Sequence, residues 1–166
     1  MTIKDEMIPD RGSAVIAGLE KNLDDVTQFF KALSPDALQI QVYKDGAEWT
    51  VQQVLAHFIT IERAMQWLFR DILAGGAGSP PDFDIERFNL TQPRKLDGQS
   101  ADALIAQFKA VREETISIVK AMSDADFDRE GRHAFHGHGK LERFIRWAYE
   151  HVNIHMDDIQ KILPTE

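Results

Sequence analysis

Residues 50–76 read TVQQVLAHFITIERAMQWLFRDILAGG and predict a long amphipathic helix with a defined start and end. Thr50 is a suitable N-cap, and Gln53 three residues later can return the hydrogen bond, as in a capping box. Apolar residues then recur at intervals of three and four positions until the glycine pair at 75–76. They are Val51, Val54, Leu55, Phe58, Ile61, Met65, Leu68, Phe69 and Ile72. A helix with one such face needs other helices to cover it.

Three other segments show the same helical periodicity, and no segment shows a convincing strand pattern. They run from about Ser13 to Leu33, from Ser100 to Met122 and from Lys140 to Leu163. Residues 38–48 and 123–139 are predicted to be irregular, because they lack this periodicity. Four amphipathic helices predict an all-α protein whose fold is a four-helix bundle.

The link between the second and third helices, Gly75–Gly98, is rich in glycine and proline and has few apolar residues. Short connections favour antiparallel neighbours, so this long link predicts a crossover that lets the second and third helices run parallel. Long loops in compact domains often have a function, so the link is either a plain crossover or a lid. The length of the chain predicts a single domain over residues 1–166.

Composition excludes several classes of function. The chain has 19 Lys and Arg against 27 Asp and Glu, a net charge of −8, and no basic stripe, so we expect no nucleic acid partner. It has no cysteine, which excludes disulfides, cysteine-ligated metals and a protein thiol nucleophile. No run approaches the roughly 18 apolar residues of a spanning helix, and Met1–Asp10 lacks a signal-peptide core. We therefore expect a cytoplasmic protein with no membrane contact.

His151 and His155 lie four residues apart in the predicted fourth helix, so their imidazoles share one face and can bind a single ion. His155 falls within the apolar stripe of that helix, and His151 lies on its flank. A buried imidazole needs either hydrogen bonds or a metal. The spacing alone therefore supports an unligated structural pair and a metal-binding pair equally.

His57 is the candidate third ligand. It lies at the edge of the apolar face of the second helix, a position that suits a seam between helices. Three imidazoles without cysteine suit Zn²⁺, Ni²⁺, Fe²⁺ or Cu²⁺ and leave positions open for water or a substrate.

Residues 48–57, EWTVQQVLAH, and residues 150–159, EHVNIHMDDI, resemble two motifs of DinB-like proteins. These motifs are W-S/T-x-x-x-V-L-x-H, which opens the second helix of those proteins, and H-x-x-x-H-x-x-x-I near their C-terminus. The stretch 83–89 before the third helix is similar too. The resemblance covers nearly the whole chain and implies a four-helix bundle with a long crossover between its second and third helices.

The resemblance also implies a site and a chemistry. The metal site of the family falls on His57, His151 and His155 of this sequence. The family includes bacillithiol transferases and mycothiol-dependent maleylpyruvate isomerases, so the implied cofactors are one divalent metal (Zn, Ni or Fe) and a low-molecular-weight thiol. It also includes many proteins with no known activity, and the resemblance does not imply DNA binding.

The sequence departs from several relatives at residues 133–139, HAFHGHG, where those relatives have a His-Pro-Glu-like turn. Ala134 and Phe135 replace the proline and the acid. We interpret His133, His136 and His138 as solvated imidazoles of a flexible loop. The alternative is a loop near the mouth of the site that moves protons or supplies a fourth ligand.

Other residues near these motifs have less specific interpretations. Glu150 and Asp158 are interpreted as solvated acids, with the alternative that either one orients a ligand imidazole through the ring nitrogen that does not bind the metal. Arg143 and Arg146 are interpreted as surface charges, with the alternative that one of them meets the carboxylate of a thiol cofactor. Three tryptophans, Trp49, Trp67 and Trp147, are interpreted as packing residues.

Three functions are compatible with these observations. The first is a metal-dependent transferase that uses a low-molecular-weight thiol against a small electrophile. The second keeps the metal but is a hydrolase, since zinc-bound water ionises near neutral pH. The third is a non-catalytic stress protein that sequesters a small molecule and has a structural or vestigial metal. In each case we expect a small-molecule ligand and a homodimer.

Overall fold

The computed structural model describes residues 10–164 of the chain. Four long helices form a bundle, which confirms the predicted all-α fold, and two short helices lie in the connections. In chain order the helices are α1 (Arg11–Lys31), α2 (Pro35–Leu38), α3 (Val51–Leu73), α4 (Ile85–Thr91), α5 (Ala101–Lys120) and α6 (Leu141–Ile162).

Helices α1 to α5 each begin after a residue whose side chain accepts a hydrogen bond from a free N–H group of the first turn. At α3 the predicted capping box is confirmed: Thr50 Oγ1 accepts from the backbone N–H of Gln53 at 3.2 Å, and Gln53 Oε1 accepts from that of Thr50 at 3.0 Å. Ser100 caps α5 with a single bond, because its hydroxyl accepts from the backbone N–H of Ala103 and Ala103 has no side-chain group to return one. The start of α1 lies two residues before the predicted one, because Asp10 rather than a serine caps that helix.

The crossover lets α3 and α5 run parallel, as predicted. Phe58 of α3 packs on Phe108 of α5 with ring centroids 6.1 Å apart. Further along both helices in the same direction, Arg70 of α3 pairs with Glu114 of α5. Helices α5 and α6 each pack against both α1 and α3, so the four long helices enclose one core.

The core has two apolar clusters with a polar level between them. One cluster surrounds the N-terminal half of α3 and includes Val26, Phe30, Val54, Leu55, Phe58, Phe108 and Val152. The other surrounds its C-terminal half and includes Val15, Leu19, Phe69, Ile72, Val119, Phe127 and Phe144. The polar level contains an ion pair between Arg112 and Glu62, both of them buried.

The prediction of an irregular segment before the last helix is wrong for residues 130–139, and Lys140, which was predicted to begin that helix, ends a strand. Strands β1 (Glu130–His133) and β2 (Gly137–Lys140) pair antiparallel, with His133 opposite Gly137 across a three-residue turn. The strands escape detection because they are short and rich in glycine, which weakens a strand pattern. Gly131 is needed there, since a Cβ at this position would lie 2.6 Å from the side chain of Ile72.

The crossover is more ordered than predicted. It contains α4 and a 3-10 turn at Pro93–Leu96, and its first residues are bonded to β1. Ser79 N–H donates to the carbonyl of Arg132 and Arg132 N–H donates to that of Ala77, both at 2.8 Å. Gly78 between them has φ +89°, and a Cβ there would meet the backbone of Arg132 at 2.5 Å. These bonds attach the crossover to the hairpin.

Within residues 10–164, no helix combines the length and the apolar character needed to cross a bilayer. The absence of a signal-peptide core concerns Met1–Asp10, of which residues 1–9 lie outside the described part of the chain. The single domain over residues 1–166, the cytoplasmic location and the homodimer stay predictions.

Candidate metal centre

The three histidines singled out in the sequence come together at the seam between α3 and α6. His57 Nε2 lies 3.3 Å from His151 Nε2, which lies 2.9 Å from His155 Nε2. One ring nitrogen from each histidine lies within 4.8 Å of the others. His57 is buried with 1% of its surface exposed, whereas His151 and His155 are partly exposed. The cluster is therefore reachable from the α6 side.

These spacings fit a metal donor set. Two imidazole nitrogens bound to one tetrahedral ion at 2.0–2.1 Å are separated by about 3.3 Å. The observed separation of His57 Nε2 and His151 Nε2 has this value, and the second separation is slightly shorter.

Tyr43 fixes the tautomer of His155. Its hydroxyl lies 2.6 Å from His155 Nδ1 and donates to Asp158 Oδ2 at 2.7 Å. Because the hydroxyl proton is directed at the carboxylate, the tyrosine oxygen accepts from Nδ1–H of His155. His155 Nε2 is then left with a lone pair directed at the other two histidines. Asp158 thus orients the imidazole of a candidate ligand, as one of the two interpretations held, but it does so through Tyr43.

Hydrogen bonds alone do not satisfy the three converging nitrogens. An N–H on His151 Nε2 can donate to the lone pair of His155 Nε2. If His57 Nε2 is unprotonated, its lone pair competes with that of His155 Nε2 for the same proton. If it is protonated, its N–H faces His151 Nε2, which already carries a proton and cannot accept a hydrogen bond. A divalent cation accepts all three lone pairs, so the donor set fits a metal ion.

Aromatic side chains enclose the cluster. Trp49 stacks on His57 with ring centroids 4.3 Å apart and 25° between the planes. Trp147 lies 5.3 Å from the ring of His151. These two tryptophans are packing residues, as expected, and their packing partners are the candidate ligands. The tryptophans thus pack against His57 and His151, whose Nδ1 atoms are buried and have no hydrogen-bond partner within residues 10–164.

The electrostatics favour neutral imidazoles. Burial, followed by the neighbouring His151 and His155, holds the pKa of His57 well below its ordinary value. Burial likewise lowers the pKa of His151 to about 3 and that of His155 to about 4. At neutral pH all three rings are therefore uncharged, which is the form that binds metal.

Four other predictions near the cluster have clear outcomes. Glu150 is exposed, which agrees with a solvated acid. Arg146 is an exposed residue that pairs with Glu142, so it is a surface charge as expected. Arg143, also exposed, lies 3.1 Å from His136 Nδ1. Trp67 does not pack in the core: 55% of its surface is exposed.

The hairpin histidines differ from one another. His138 is exposed, as predicted, but His133 is buried, so the prediction of a solvated imidazole is wrong for this residue. His133 Nδ1 accepts from the backbone N–H groups of Phe135 and His136 at 3.0 and 3.2 Å. A histidine at the end of a short strand can close the following turn in this way, and periodicity alone does not reveal it.

An apolar cavity of about 190 Å³ lies one helical turn beyond His57. Its walls come from α3 between Ile61 and Leu68, from the crossover near Phe83 and from the hairpin at His133. The sequence did not indicate this cavity, because its walls are distant from one another along the chain. Tyr43 was missed for the same reason: it lies in a segment with no periodicity, and only the fold brings it to His155.

Comparison with known proteins adds three findings. The model of the DinB superfamily matches residues 18–159 of the chain. The colibactin self-resistance protein ClbS, solved in complex with a dsDNA, has a TM-score of 0.68 at 13% identity, with 95% of this chain and 99% of that chain covered. An uncharacterised protein from Escherichia coli UTI89 has a TM-score of 0.67 at 14% identity, with 93% of each chain covered. No curated protein matches the sequence. The two likenesses show a shared fold.

The exclusion of nucleic acid as a partner is wrong. ClbS has the same fold and was solved with a dsDNA, so the fold does not exclude such a partner. Net charge is a sum over the whole surface, and it carries no information about the local groups that contact phosphates.

Proposed function

The chain belongs to the DinB superfamily, and from this premise we propose that it is a metal-dependent enzyme that transfers a low-molecular-weight thiol to a small electrophile. The observation that carries the proposal is the convergence of three imidazole nitrogens that have no adequate hydrogen-bond partners. A site of this kind leaves coordination positions for an exogenous ligand.

In this proposal His57, His151 and His155 hold a divalent transition metal: zinc, nickel or iron. A bound divalent cation lowers the pKa of a coordinating thiol, so it supplies a thiolate at neutral pH. Tyr43 and Asp158 hold His155 in the tautomer whose Nε2 binds metal. Trp49 covers the ring of His57 and keeps water away from that side.

The thiol in the proposed reaction comes from a small molecule, because the chain has no cysteine. Its sulfur forms a bond to an electrophilic carbon, and its proton passes to the leaving group or to the oxygen of an opened epoxide. The partly exposed edges of His151 and His155 are where both substrates reach the cluster.

The test is turnover of 1-chloro-2,4-dinitrobenzene and of a simple epoxide by protein loaded with zinc or nickel, with and without added thiol. We expect a rate that increases with thiol concentration above the uncatalysed background and that disappears in His151→Ala. The matched control is His138→Ala, because His138 is an exposed histidine outside the cluster. Metal-loaded protein with no thiol-dependent rate would contradict the proposal, and hydrolysis without thiol would favour the hydrolase.

A second candidate is a protein that sequesters a small molecule without turnover. The observation that favours it is the apolar cavity of about 190 Å³. ClbS is a self-resistance protein, and by analogy a protective role is proposed here. Stoichiometric binding of a small apolar molecule with no product over many hours would favour this candidate over the transferase. Duplex DNA belongs in the same binding assay, since ClbS was solved with a dsDNA.

A further inference from the structure

The cavity beyond His57 is a pocket with almost entirely apolar walls. Ile61, Met65 and Leu68 line it from α3, and Phe83 closes it from the crossover. Trp67 also lines it, with 55% of its surface exposed. An exposed tryptophan beside an apolar pocket leaves a large surface without a partner, which is a feature of ligand sites.

The walls of the pocket are held in place by backbone contacts. The crossover is bonded to β1 through Ser79 and Arg132, and Gly78 permits this close approach. Gly131 likewise lets β1 lie directly against Ile72 of α3. The pocket is therefore formed before any ligand arrives, which lowers the entropy cost of binding.

His133 supplies one defined polar group to this pocket. Its Nδ1 accepts two backbone N–H groups of the hairpin turn, so the proton of the neutral ring is on Nε2. Nε2 makes no hydrogen bond to any residue within 10–164. Burial, followed by the nearby His136 and Arg143, lowers the pKa of His133 to about 4, so the ring is neutral at pH 7. The residue therefore offers an uncharged donor.

We propose that this pocket binds a small neutral aromatic molecule with one hydrogen-bond acceptor, which receives the Nε2–H of His133. The size fits, because a cavity of about 150 Å³ holds one benzene ring and this cavity has about 190 Å³. Its apolar walls disfavour a charged ligand, since a buried charge without a partner is costly. A polypeptide segment is a poorer fit, because a cavity of this volume accepts little more than one side chain.

Binding at this site does not depend on the proposed metal chemistry. In the proposed reaction this pocket would hold the electrophile, because Ile61 in its wall lies one helical turn from His57, and this role alone rests on the proposed function. The experiments below measure binding and not turnover. A failed thiol-transfer assay together with intact binding would therefore remove the proposed function and leave the pocket.

The test is a titration of the full-length protein with acetophenone and with ethylbenzene, followed through the indole N–H signal of Trp67 in NMR spectra. The two probes share the phenyl ring and a two-carbon side chain, and only acetophenone has an acceptor oxygen. We expect saturable shifts with both and an affinity for acetophenone about threefold to tenfold higher, the effect of one hydrogen bond. Benzoate should bind more weakly than either. Equal affinities for acetophenone and ethylbenzene would overturn the role of His133.

Two substitutions separate the roles of the two nitrogens of His133. His133→Asn can place its amide oxygen where Nδ1 accepts from the turn, but its amide N–H groups do not reach the Nε2 position, so it should fold and lose the preference for acetophenone. His133→Gln can place an amide N–H near the Nε2 position but leaves no acceptor at the Nδ1 position, so it should keep the preference at a lower Tm. A preference that persists in His133→Asn would contradict the proposal, and the two probes test it on the wild type if either variant fails to fold.

A blocking variant tests the pocket itself. Ala64 lines the pocket and is partly exposed, so Ala64→Phe should fill the cavity and abolish the Trp67 shifts. The matched control is Ala110→Phe on the exposed face of α5, which should bind like the wild type. Saturable binding that survives Ala64→Phe would overturn the assignment of the ligand to this cavity.

Discussion

Two polar groups lie inside the bundle, and they differ in how completely they are paired. The Arg112 and Glu62 side chains are 0% and 1% exposed, and Arg112 Nε and Nη2 both donate to the carboxylate at 2.8–3.0 Å. The three remaining guanidinium N–H groups donate to Leu19 O, Asn22 Oδ1 and Ala148 O. All five donors of the arginine are used. The histidine cluster, in contrast, has converging lone pairs and two buried Nδ1 atoms that find no partner among residues 10–164.

The difference separates a structural element from a candidate site. The arginine network joins α1, α3, α5 and α6 and leaves nothing for a ligand to bind. The histidine cluster has binding capacity that the chain itself does not use. Because an unsatisfied buried polar group costs free energy, such a cluster persists where a ligand compensates for that cost.

The largest expected effect comes from breaking the complete network. Arg112→Met removes the partner of a buried carboxylate, so we expect the free energy of unfolding to fall by about 3–5 kcal/mol. The double variant Arg112→Met with Glu62→Leu should recover most of this loss, because no unpaired charge then remains. Urea unfolding measures both.

The control for this substitution is Arg70→Met, since Arg70 and Glu114 form an exposed ion pair. We expect its effect to stay below about 1 kcal/mol. A double variant no more stable than Arg112→Met alone would show that the loss comes from packing and not from the unpaired charge.

Breaking the incomplete cluster should have the opposite sign. In metal-free protein His57→Leu should raise the free energy of unfolding by about 1 kcal/mol, because it removes a buried ring with unsatisfied nitrogens. In the presence of zinc at about 100 times its Kd, the wild type should gain about 2.7 kcal/mol and the variant nothing. Thermal unfolding with and without zinc measures both terms. A large destabilisation of the metal-free variant would mean that His57 is a structural residue.

Tyr43→Phe removes one of the few hydrogen bonds that the histidine cluster makes. The substitution removes the group that fixes the tautomer of His155, so we expect metal affinity to fall about 10- to 100-fold. Competition with a chelator measures this affinity. Tyr149→Phe is a suitable control, since Tyr149 is a partly buried tyrosine on α6 outside the cluster. Equal metal affinity of Tyr43→Phe and the wild type would show that Tyr43 does not orient a ligand.

The smallest effect concerns an exposed network. Arg11 donates to Asp128 and Glu142, and the hydrogen bonds from Arg11 and Lys140 hold the pKa of Asp128 below its ordinary value of 3.8. A carboxylate with a lowered pKa in the folded state stabilises the protein above the unfolded value, and this stabilisation is lost as the pH falls. Asp128→Asn should therefore lower the Tm slightly at pH 7, and the difference from the wild type should shrink below about pH 4.

The salt dependence of the Tm distinguishes the exposed pair of Arg11 and Asp128 from the buried pair of Arg112 and Glu62. The effect of Asp128→Asn should also shrink in 1 M salt, where charges on the surface are screened. A difference in Tm that is unchanged at pH 3 and in high salt would show that it does not arise from the charge of Asp128.

Features that depend on local sequence were predictable, and features that depend on the fold were not. The capping box at Thr50 and the shared face of His151 and His155 involve residues within one helical turn, so spacing was enough. The position of His57 at a helix seam followed from the edge of an apolar stripe. The structure confirms that His57 contacts His151 of α6, and metal binding by these residues stays a prediction.

The missed features all join distant segments. Tyr43 and His155 are 112 positions apart, and no pattern in the sequence connects them. Arg112 and Glu62 were not singled out, because charged residues on amphipathic helices usually face solvent. The hairpin was missed because its glycines serve close packing against α3 and the crossover, which is invisible without the fold.

The proposed function requires the histidine cluster to bind one divalent metal. Elemental mass spectrometry measures this directly, on untagged protein prepared without chelators and offered zinc and nickel in turn. We expect about one equivalent of metal in the wild type and in His138→Ala, and almost none in His151→Ala. A wild type that retains no zinc and no nickel, or a His151→Ala variant that retains as much metal as the wild type, would show that the cluster is not a metal site.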